Sequence, residues 1–159
     1  MKIYAVLSKL TLLTFMIMAF VVTACKDDDE NPAPQVDDNP IVGTWQLTSV
    51  SAETPGTIPQ LAQLAGAAPC YLDLKLTFKS DNTLTTADCP IAVLAISAIA
   101  PVGDGSTWKV NGDVLNLKSG TTAKDFKFTQ TPTELTVVAN TEVDATKPAV
   151  NALLKFKKL

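Results

Sequence analysis

The sequence contains no histidine and no arginine, and all 13 basic residues are lysine. Without imidazole, the chain lacks the usual general base near neutral pH and the commonest protein ligand of zinc and copper. Without guanidinium, it cannot make planar bidentate contacts with phosphate or carboxylate groups. No glycine-rich loop opens a helix to bind phosphate, and no serine or threonine has a histidine to activate it. We therefore expect a protein that is not an enzyme, with no catalytic residue, no metal site and no cofactor.

The N-terminus has the pattern of a secretion signal. Lys2 and Lys9 precede an uncharged run from Leu10 to Ala24 that ends in small residues. A positively charged start followed by a hydrophobic segment is typical of signal peptides, and this run is shorter than the ~20 residues that span a bilayer. We expect residues 1–24 to be a signal peptide that is removed.

The residues before Cys25 resemble the lipobox of bacterial lipoproteins, with Val22, Thr23 and Ala24 in front of the cysteine. This resemblance implies cleavage before Cys25 and lipidation of that residue. One acyl chain holds a protein at a membrane only marginally, whereas the three chains usual in this family would anchor it firmly. An ordinary signal peptide with a chance cysteine at its end is the alternative interpretation.

An acidic run, Asp27 to Glu30, follows Lys26 and resembles the export signal of Bacteroidetes-type surface lipoproteins. The resemblance implies an outer-membrane lipoprotein exposed at the cell surface, and the alternative is a solvated acidic spacer. Residues 26–40 hold six acidic residues and three prolines with little apolar content. We therefore expect residues 25–40 to be the lipidated cysteine and a flexible acidic stalk.

The size and charge of the remaining chain limit the number of domains and the kinds of partner. Removal of residues 1–24 would leave 135 residues (159 minus 24), enough for one domain and a tether. Eleven lysines would face 16 acidic residues, a net charge of 11 minus 16, or −5. Nucleic acid is therefore excluded as a partner. We expect one folded domain over residues 41–159, monomeric and held at the membrane through its N-terminal lipid.

Strand patterns run through this domain. The clearest is Tyr71 to Lys79, where apolar and polar residues alternate with a period of two. A turn at 80–82 leads to its partner over 83–88. A second hairpin joins 108–110 to 113–118 through Asn111-Gly112, which would place Trp108 opposite Leu115.

A third hairpin joins 124–130, with Phe126 and Phe128 facing inward, to 134–140. Strands at 44–51 and 152–157 bring the number to eight. The long connections, 52–70, 89–105 and 141–150, would all emerge at one end of an up-and-down barrel. We predict an all-β fold, an eight-stranded up-and-down antiparallel barrel. Short helical or apolar insertions, at 58–67 and 91–99, would occupy the first two long connections.

Two cysteines remain if Cys25 carries lipid. In an oxidising compartment the pair Cys70 and Cys89 suggests a disulfide with a structural role. Two buried reduced thiols are the alternative.

The insertions are unusually apolar for loops at the rim of a barrel. Such a rim indicates contact with a ligand or a partner, and the alternative is that its side chains simply plug the barrel. The candidate residues for ligand binding or docking are Leu61, Leu64, Ile91, Leu94, Ile96 and Ile99.

A family resemblance appears in Gly43-Thr44-Trp45, which resembles the Gly-x-Trp signature of lipocalins. Cys70, Leu76-Thr77-Phe78 and Cys89 add to a resemblance to the lipocalin-like domains of Bacteroidetes lipoproteins. It implies an eight-stranded barrel that often holds a small apolar ligand, with Gly43 and Trp45 at the barrel base. Lipocalins commonly pack an arginine over that tryptophan, so one of Lys155, Lys157 and Lys158 would have to take its place.

The function predicted from these observations is the binding of a small apolar or amphipathic molecule at the open end of a membrane-anchored barrel. The alternative is a non-enzymatic interaction module that docks its apolar rim on an envelope or extracellular partner protein.

Overall fold

Eight antiparallel strands close into one barrel in chain order, because the last strand pairs back onto the first. The computed structural model describes residues 37–159. The predicted signal peptide, Cys25 and stalk residues 26–36 lie outside the described residues. The strands are β1 (Gly43–Ala52), β2 (Lys75–Phe78), β3 (Thr83–Ala87), β4 (Ser106–Asn111), β5 (Val114–Ser119), β6 (Thr122–Gln130), β7 (Glu134–Asn140) and β8 (Asn151–Lys158). The predicted fold class is confirmed.

Two short helices lie in the connections where the sequence predicts them. Helix α1 (Gln60–Ala67) lies between β1 and β2, and helix α2 (Pro90–Ser97) lies between β3 and β4. Pro90 occupies the first turn of α2, where a missing N–H and a fixed φ are tolerated. Within residues 37–159, neither helix has the length and apolar character needed to cross a bilayer.

The predicted strand over 71–79 is wrong in its first half. A 3₁₀ helix (Pro69–Asp73) precedes β2, which begins only at Lys75. Pro69 sets a helical φ at the start of this turn, and Cys70 is disulfide-bonded to Cys89, which precedes α2. The segment therefore packs against β1 and both helices and does not pair as a strand. Leu72, one of the alternating apolar residues of the predicted strand, is consequently exposed.

The predicted register of the second hairpin is wrong by two residues. Asn111 pairs with Val114, so Gly112 and Asp113 form the turn and Trp108 lies opposite Leu117. Gly112 has a φ of +63°, as the first turn residue of a II′ hairpin requires. A shift of two residues keeps every side chain on its predicted face, because the side-chain period of a strand is also two.

The core fills the inside of the barrel. Buried residues recur at every second position in most strands, as in β5, where Leu115 and Leu117 face inward. Phe78 and Trp108 meet edge to face with their ring centroids 5.7 Å apart. The Trp108 indole N–H also donates to the Lys79 carbonyl, at 3.1 Å, so this buried ring has its polar atom satisfied.

The chain reaches the barrel at the end that carries the tight turns. The Asp37 N–H donates to the Ser80 carbonyl at 2.7 Å, and the Asn82 side-chain amide donates to the Asp37 carboxylate at 2.9 Å. Both partners belong to the turn between β2 and β3. The long connections and both helices therefore lie at the opposite end, which we call the mouth.

Candidate functional site

The mouth is closed by the connection between β3 and β4. Ile96, near the end of α2, is 4% exposed, and Ile99, which follows the helix, is 8% exposed. The N–H groups of Ile99 and Ala100 both donate to the Ile96 carbonyl, at 2.9 and 2.8 Å, so the chain turns tightly at this point. We call residues 96–102 the roof.

Two links fasten the start of α2 to the rest of the barrel. Cys70 and Cys89 form a disulfide with a Cα–Cα distance of 5.6 Å. The predicted pairing is thus present. Lys75 on β2 also forms an ion pair with Asp88. Both side chains are partly exposed to solvent, so this pair contributes little to the stability of the fold.

A small void lies directly beneath the roof. Its volume is about 30 Å³, far below the roughly 300 Å³ of a small-molecule site, and its wall exposes no polar surface. The barrel is therefore almost filled by its own side chains in this conformation. The residues that line the void are Leu76, Phe78, Ile96, Ile99, Ala100, Val102, Leu115, Leu117, Phe126, Val137, Ala139, Leu154 and Phe156.

A larger cleft lies on the outer side of the same roof. Its volume is about 480 Å³, and it opens to solvent between the roof and the ends of β5 and β6. Ile99, Ala100 and Val102 border both this cleft and the void. Three residues of one connection therefore lie between the apolar interior and the cleft.

Lys124 is the charged side chain nearest to this wall. It lies on β6 with its Nζ 5.7 Å from the ring centroid of Phe126, a residue of the void lining. The ammonium donates to the backbone carbonyl of Ile99 at 2.8 Å. A hydrogen bond from a charged donor thus holds the roof against β6.

The six residues predicted for the rim separate into two groups. Leu61, Ile96 and Ile99 are buried, and Ile96 and Ile99 line the void. Leu64, Ile91 and Leu94 are exposed, by 46%, 56% and 72%. Three of the six residues are therefore buried, two of them at the void, while the other three are exposed.

The exposed residues belong to a wider apolar patch. Ile58 and Leu72 are also exposed, and they lie beside α1 and on the 3₁₀ helix. Both helices and the 3₁₀ helix contact one another, and the disulfide joins the last two elements. We call these five side chains, Ile58, Leu64, Leu72, Ile91 and Leu94, the rim patch.

Two hydroxyl groups are buried without a hydrogen-bond partner among residues 37–159: Tyr71 Oη and Ser106 Oγ. Burial raises the pKa of the Tyr71 hydroxyl, because the charged form is disfavoured away from water. Tyr71 therefore stays neutral at physiological pH.

The predicted barrel base, Gly43 and Trp45, lies at the end opposite the mouth. Trp45 is fully buried, and its indole N–H donates to the Ile41 carbonyl at 2.7 Å. Gly43 has a φ of +137°, in a region that L side chains rarely adopt. A Cβ at this position would also lie 2.8 Å from Cε of Lys158.

A broad depression of about 810 Å³ lies at this base end as well. It is wide open to solvent and is lined in large part by turn residues such as Asn39, Gly112 and Pro132. It therefore does not enclose a ligand as a small-molecule site does, and the mouth, where a wholly apolar void lies beneath the roof, is the better candidate.

Sequence reasoning did not identify Ala100, Val102 and Lys124. The signal for Lys124 was present, because it has the same parity as Phe126 and Phe128, both predicted to face inward. Ala100 and Val102 carry no such pattern, since they lie in an irregular segment after α2.

Comparison with known families agrees with this architecture. A family model described as a lipocalin-like domain matches residues 41–137, which is more than half of the chain and extends from the start of β1 into β7. No curated protein and no solved structure matches the chain significantly. The chain therefore belongs to the lipocalin-like domain family.

Proposed function

We propose that this protein binds a small apolar or amphipathic molecule inside its barrel, and that the ligand enters by displacing the roof. Binding of small ligands is a general property of lipocalin-like barrels. The observation that carries the proposal is the shared wall: Ile99, Ala100 and Val102 line both the apolar void and the outer cleft. Their movement would join the void to a space of about 480 Å³, within the range of small-molecule sites.

The chemistry of the lining defines the ligand. The void exposes no polar atom, so the buried part of a ligand would have to be apolar. A polar headgroup would be accommodated only in the cleft, where serine, threonine and lysine side chains are present.

The energetics set a minimum length for an acyl ligand. Expelling Ile96 and Ile99 from the barrel costs about 1.5–3 kcal/mol for each side chain. Each methylene that replaces them contributes about 0.8 kcal/mol. A chain of about ten methylenes, contributing about 8 kcal/mol, offsets a combined loss of about 3–6 kcal/mol, whereas a chain of about three, contributing about 2.4 kcal/mol, does not. Affinity should therefore rise steeply with chain length.

A fluorescence titration tests the proposal. The purified protein is titrated with N-phenyl-1-naphthylamine, a neutral apolar probe, and the probe is displaced by alkyl ligands of four to fourteen carbons. We expect saturable binding of one probe per protein and displacement only by the longer chains. Absence of saturable binding would contradict the proposal.

Two matched variants locate the site. Ile99→Asp places a charge in the void lining and should abolish binding of the probe, whereas Leu94→Asp changes an exposed side chain and should leave it unchanged. If Leu94→Asp alone abolished binding, the ligand would lie on the rim patch and not in the barrel.

The rim patch favours a second candidate function, docking on a partner protein. Single exposed apolar side chains are normal on a protein surface, but here five large ones are exposed on neighbouring elements. Such a concentration is typical of an interaction surface. A photo-crosslinking amino acid at position 94, tested in living cells, should trap one discrete partner. The same group at Lys109, exposed on β4, is the control and should trap none.

We also propose that Cys25 is lipidated and that the protein lies at the outer membrane, exposed at the cell surface. The lipobox pattern and the acidic run after Lys26 support this location. Replacing Asp27 to Glu30 with alanine should protect the domain from protease added to intact cells. Continued cleavage at the surface would contradict the export role of the acidic run.

A further inference from the structure

We propose that Lys124 binds the anionic headgroup of the ligand, so that the preferred ligand is a single-chain amphiphile with a carboxylate. This inference rests on the proposed ligand binding in the barrel and specifies its chemistry. It follows from the position of the Lys124 ammonium, from its present partner and from the charge of the cleft.

The position of Lys124 follows from the alternation of β6. Phe126 and Phe128 are buried on the inner face, while Asp125 and Lys127 are exposed on the outer face. Lys124 has the inward parity one step closer to the mouth, where the residue is exposed to solvent. Its Nζ lies 5.7 Å from the Phe126 ring centroid, so the charge sits at the boundary between the cleft and the apolar interior.

The present partner of Lys124 is an uncharged group. Its ammonium donates to the Ile99 carbonyl at 2.8 Å. The ion pairs described for residues 37–159 are Lys75 with Asp88 and Lys147 with Asp144, and neither includes Lys124. Within this part of the chain, no carboxylate neutralises the Lys124 charge.

The cleft carries one positive charge and no negative charge in its lining. Its lining residues are Ser97, Ala98, Ile99, Ala100, Pro101, Val102, Ser119, Thr122 and Lys124, and Lys124 is the one charged residue among them. A carboxylate placed there would meet an ammonium and hydroxyl donors, with no acidic lining residue to repel it.

Ile99 couples entry of the apolar chain to binding of the headgroup. Its side chain lines the void, and its carbonyl is the acceptor of the Lys124 hydrogen bond. A chain that displaces Ile99 from the void therefore also removes the acceptor from Lys124. A carboxylate headgroup supplies a new acceptor at that moment, whereas a neutral alcohol supplies a weaker one.

Competition between dodecanoate and dodecan-1-ol for N-phenyl-1-naphthylamine tests the inference. The purified protein is compared with Lys124→Met, Lys124→Arg and Lys127→Met, the last being a control on the outer face of the same strand. The measured quantity is the ratio of the two dissociation constants. We expect Lys124→Met to shift this ratio about tenfold towards the alcohol, and both Lys124→Arg and Lys127→Met to keep the ratio of the unmodified protein.

The outcomes distinguish binding of the headgroup by Lys124 from a purely structural role, in which Lys124 only holds the roof through its hydrogen bond to Ile99. If Lys124→Met tightens both ligands equally, the lysine only holds the roof, and the inference is overturned. An unchanged ratio overturns it as well, while the ligand-binding function stands. If the unmodified protein binds neither the probe nor the ligands, the proposed function fails and the inference fails with it.

Discussion

Lys158 holds its ammonium over the ring of Trp45, with 5.1 Å between Nζ and the ring centroid. The two residues are register partners, because β8 pairs with β1 and closes the barrel. The same Nζ donates to the Pro40 carbonyl at 3.0 Å. The resemblance to lipocalins required a lysine in place of the usual arginine, and Lys158 takes that place among the three candidates.

Replacing Lys158 with alanine should therefore destabilise the protein by about 1 kcal/mol, since a cation over an aromatic ring contributes about 0.5–2 kcal/mol. Urea unfolding measures the change. Lys157→Ala, an exposed position on the same strand, is the control and should stay within about 0.5 kcal/mol of the unmodified protein. Lys158→Arg should retain the stability, because guanidinium also stacks on aromatic faces. Equal losses for the two alanine variants would show that the stacking contributes nothing.

Gly43→Ala should be destabilising by about 1–3 kcal/mol. Its φ of +137° is unfavourable for alanine, and the new Cβ would meet Cε of Lys158 at 2.8 Å. Gly66→Ala is the matched control, because this helical glycine has open space around it, and alanine should raise stability by a few tenths to about 1 kcal/mol. Thermal unfolding of both variants gives the comparison. A neutral effect at position 43 would contradict the close approach.

Loss of the disulfide should lower the free energy of unfolding by about 2–4 kcal/mol. The bond joins residues 19 apart and fastens the 3₁₀ helix to the root of α2. Urea unfolding with and without a reductant measures the loss. A variant with serine at both Cys70 and Cys89 should show the same reduced stability and no response to the reductant. If the reductant left the unmodified protein as stable as before, the expected contribution would be contradicted.

Thr83 should control the titration of Asp81. The Thr83 hydroxyl and then its backbone N–H donate to the Asp81 carboxylate and lower its pKa. A carboxyl whose pKa is lower in the folded state stabilises the fold above its unfolded pKa of about 4, and this contribution disappears as the pH falls through the folded value. Thr83→Val should raise the pKa of Asp81, as measured by NMR titration.

Thr146→Val provides the control for this titration. The Thr146 hydroxyl and N–H lower the pKa of Asp144 in the same way. The substitution should raise the pKa of Asp144 and leave that of Asp81 unchanged. An Asp81 pKa that did not respond to Thr83→Val would show that the hydrogen bond from the Thr83 hydroxyl is absent in solution.

Strand alternation predicted most of the fold, because one buried face repeats every two residues. The register at Gly112 escaped prediction, since both Asn-Gly and Gly-Asp satisfy a two-residue hairpin turn. The 3₁₀ helix escaped because Leu72 continues the alternation of β2, although Pro69 and the bond from Cys70 draw the chain away from the sheet.

The orientation of α2 could not be predicted for a related reason. Apolar residues lie on every face of this helix. The periodicity of the sequence therefore does not show that Ile96 is buried while Ile91 and Leu94 are exposed. The packing of the roof into the mouth decides which residues are buried. The internal volume could not be predicted either, because a filled and a hollow barrel share the same strand pattern.

Methyl NMR of the protein saturated with dodecanoate tests the central claim most directly. The claim predicts one ligand per protein and large shifts for Ile99 and for interior methyl groups such as those of Leu117 and Val137. Leu94, on the outside of α2, should change little. Shifts restricted to Ile91 and Leu94, with the interior methyl groups unmoved, would contradict binding inside the barrel.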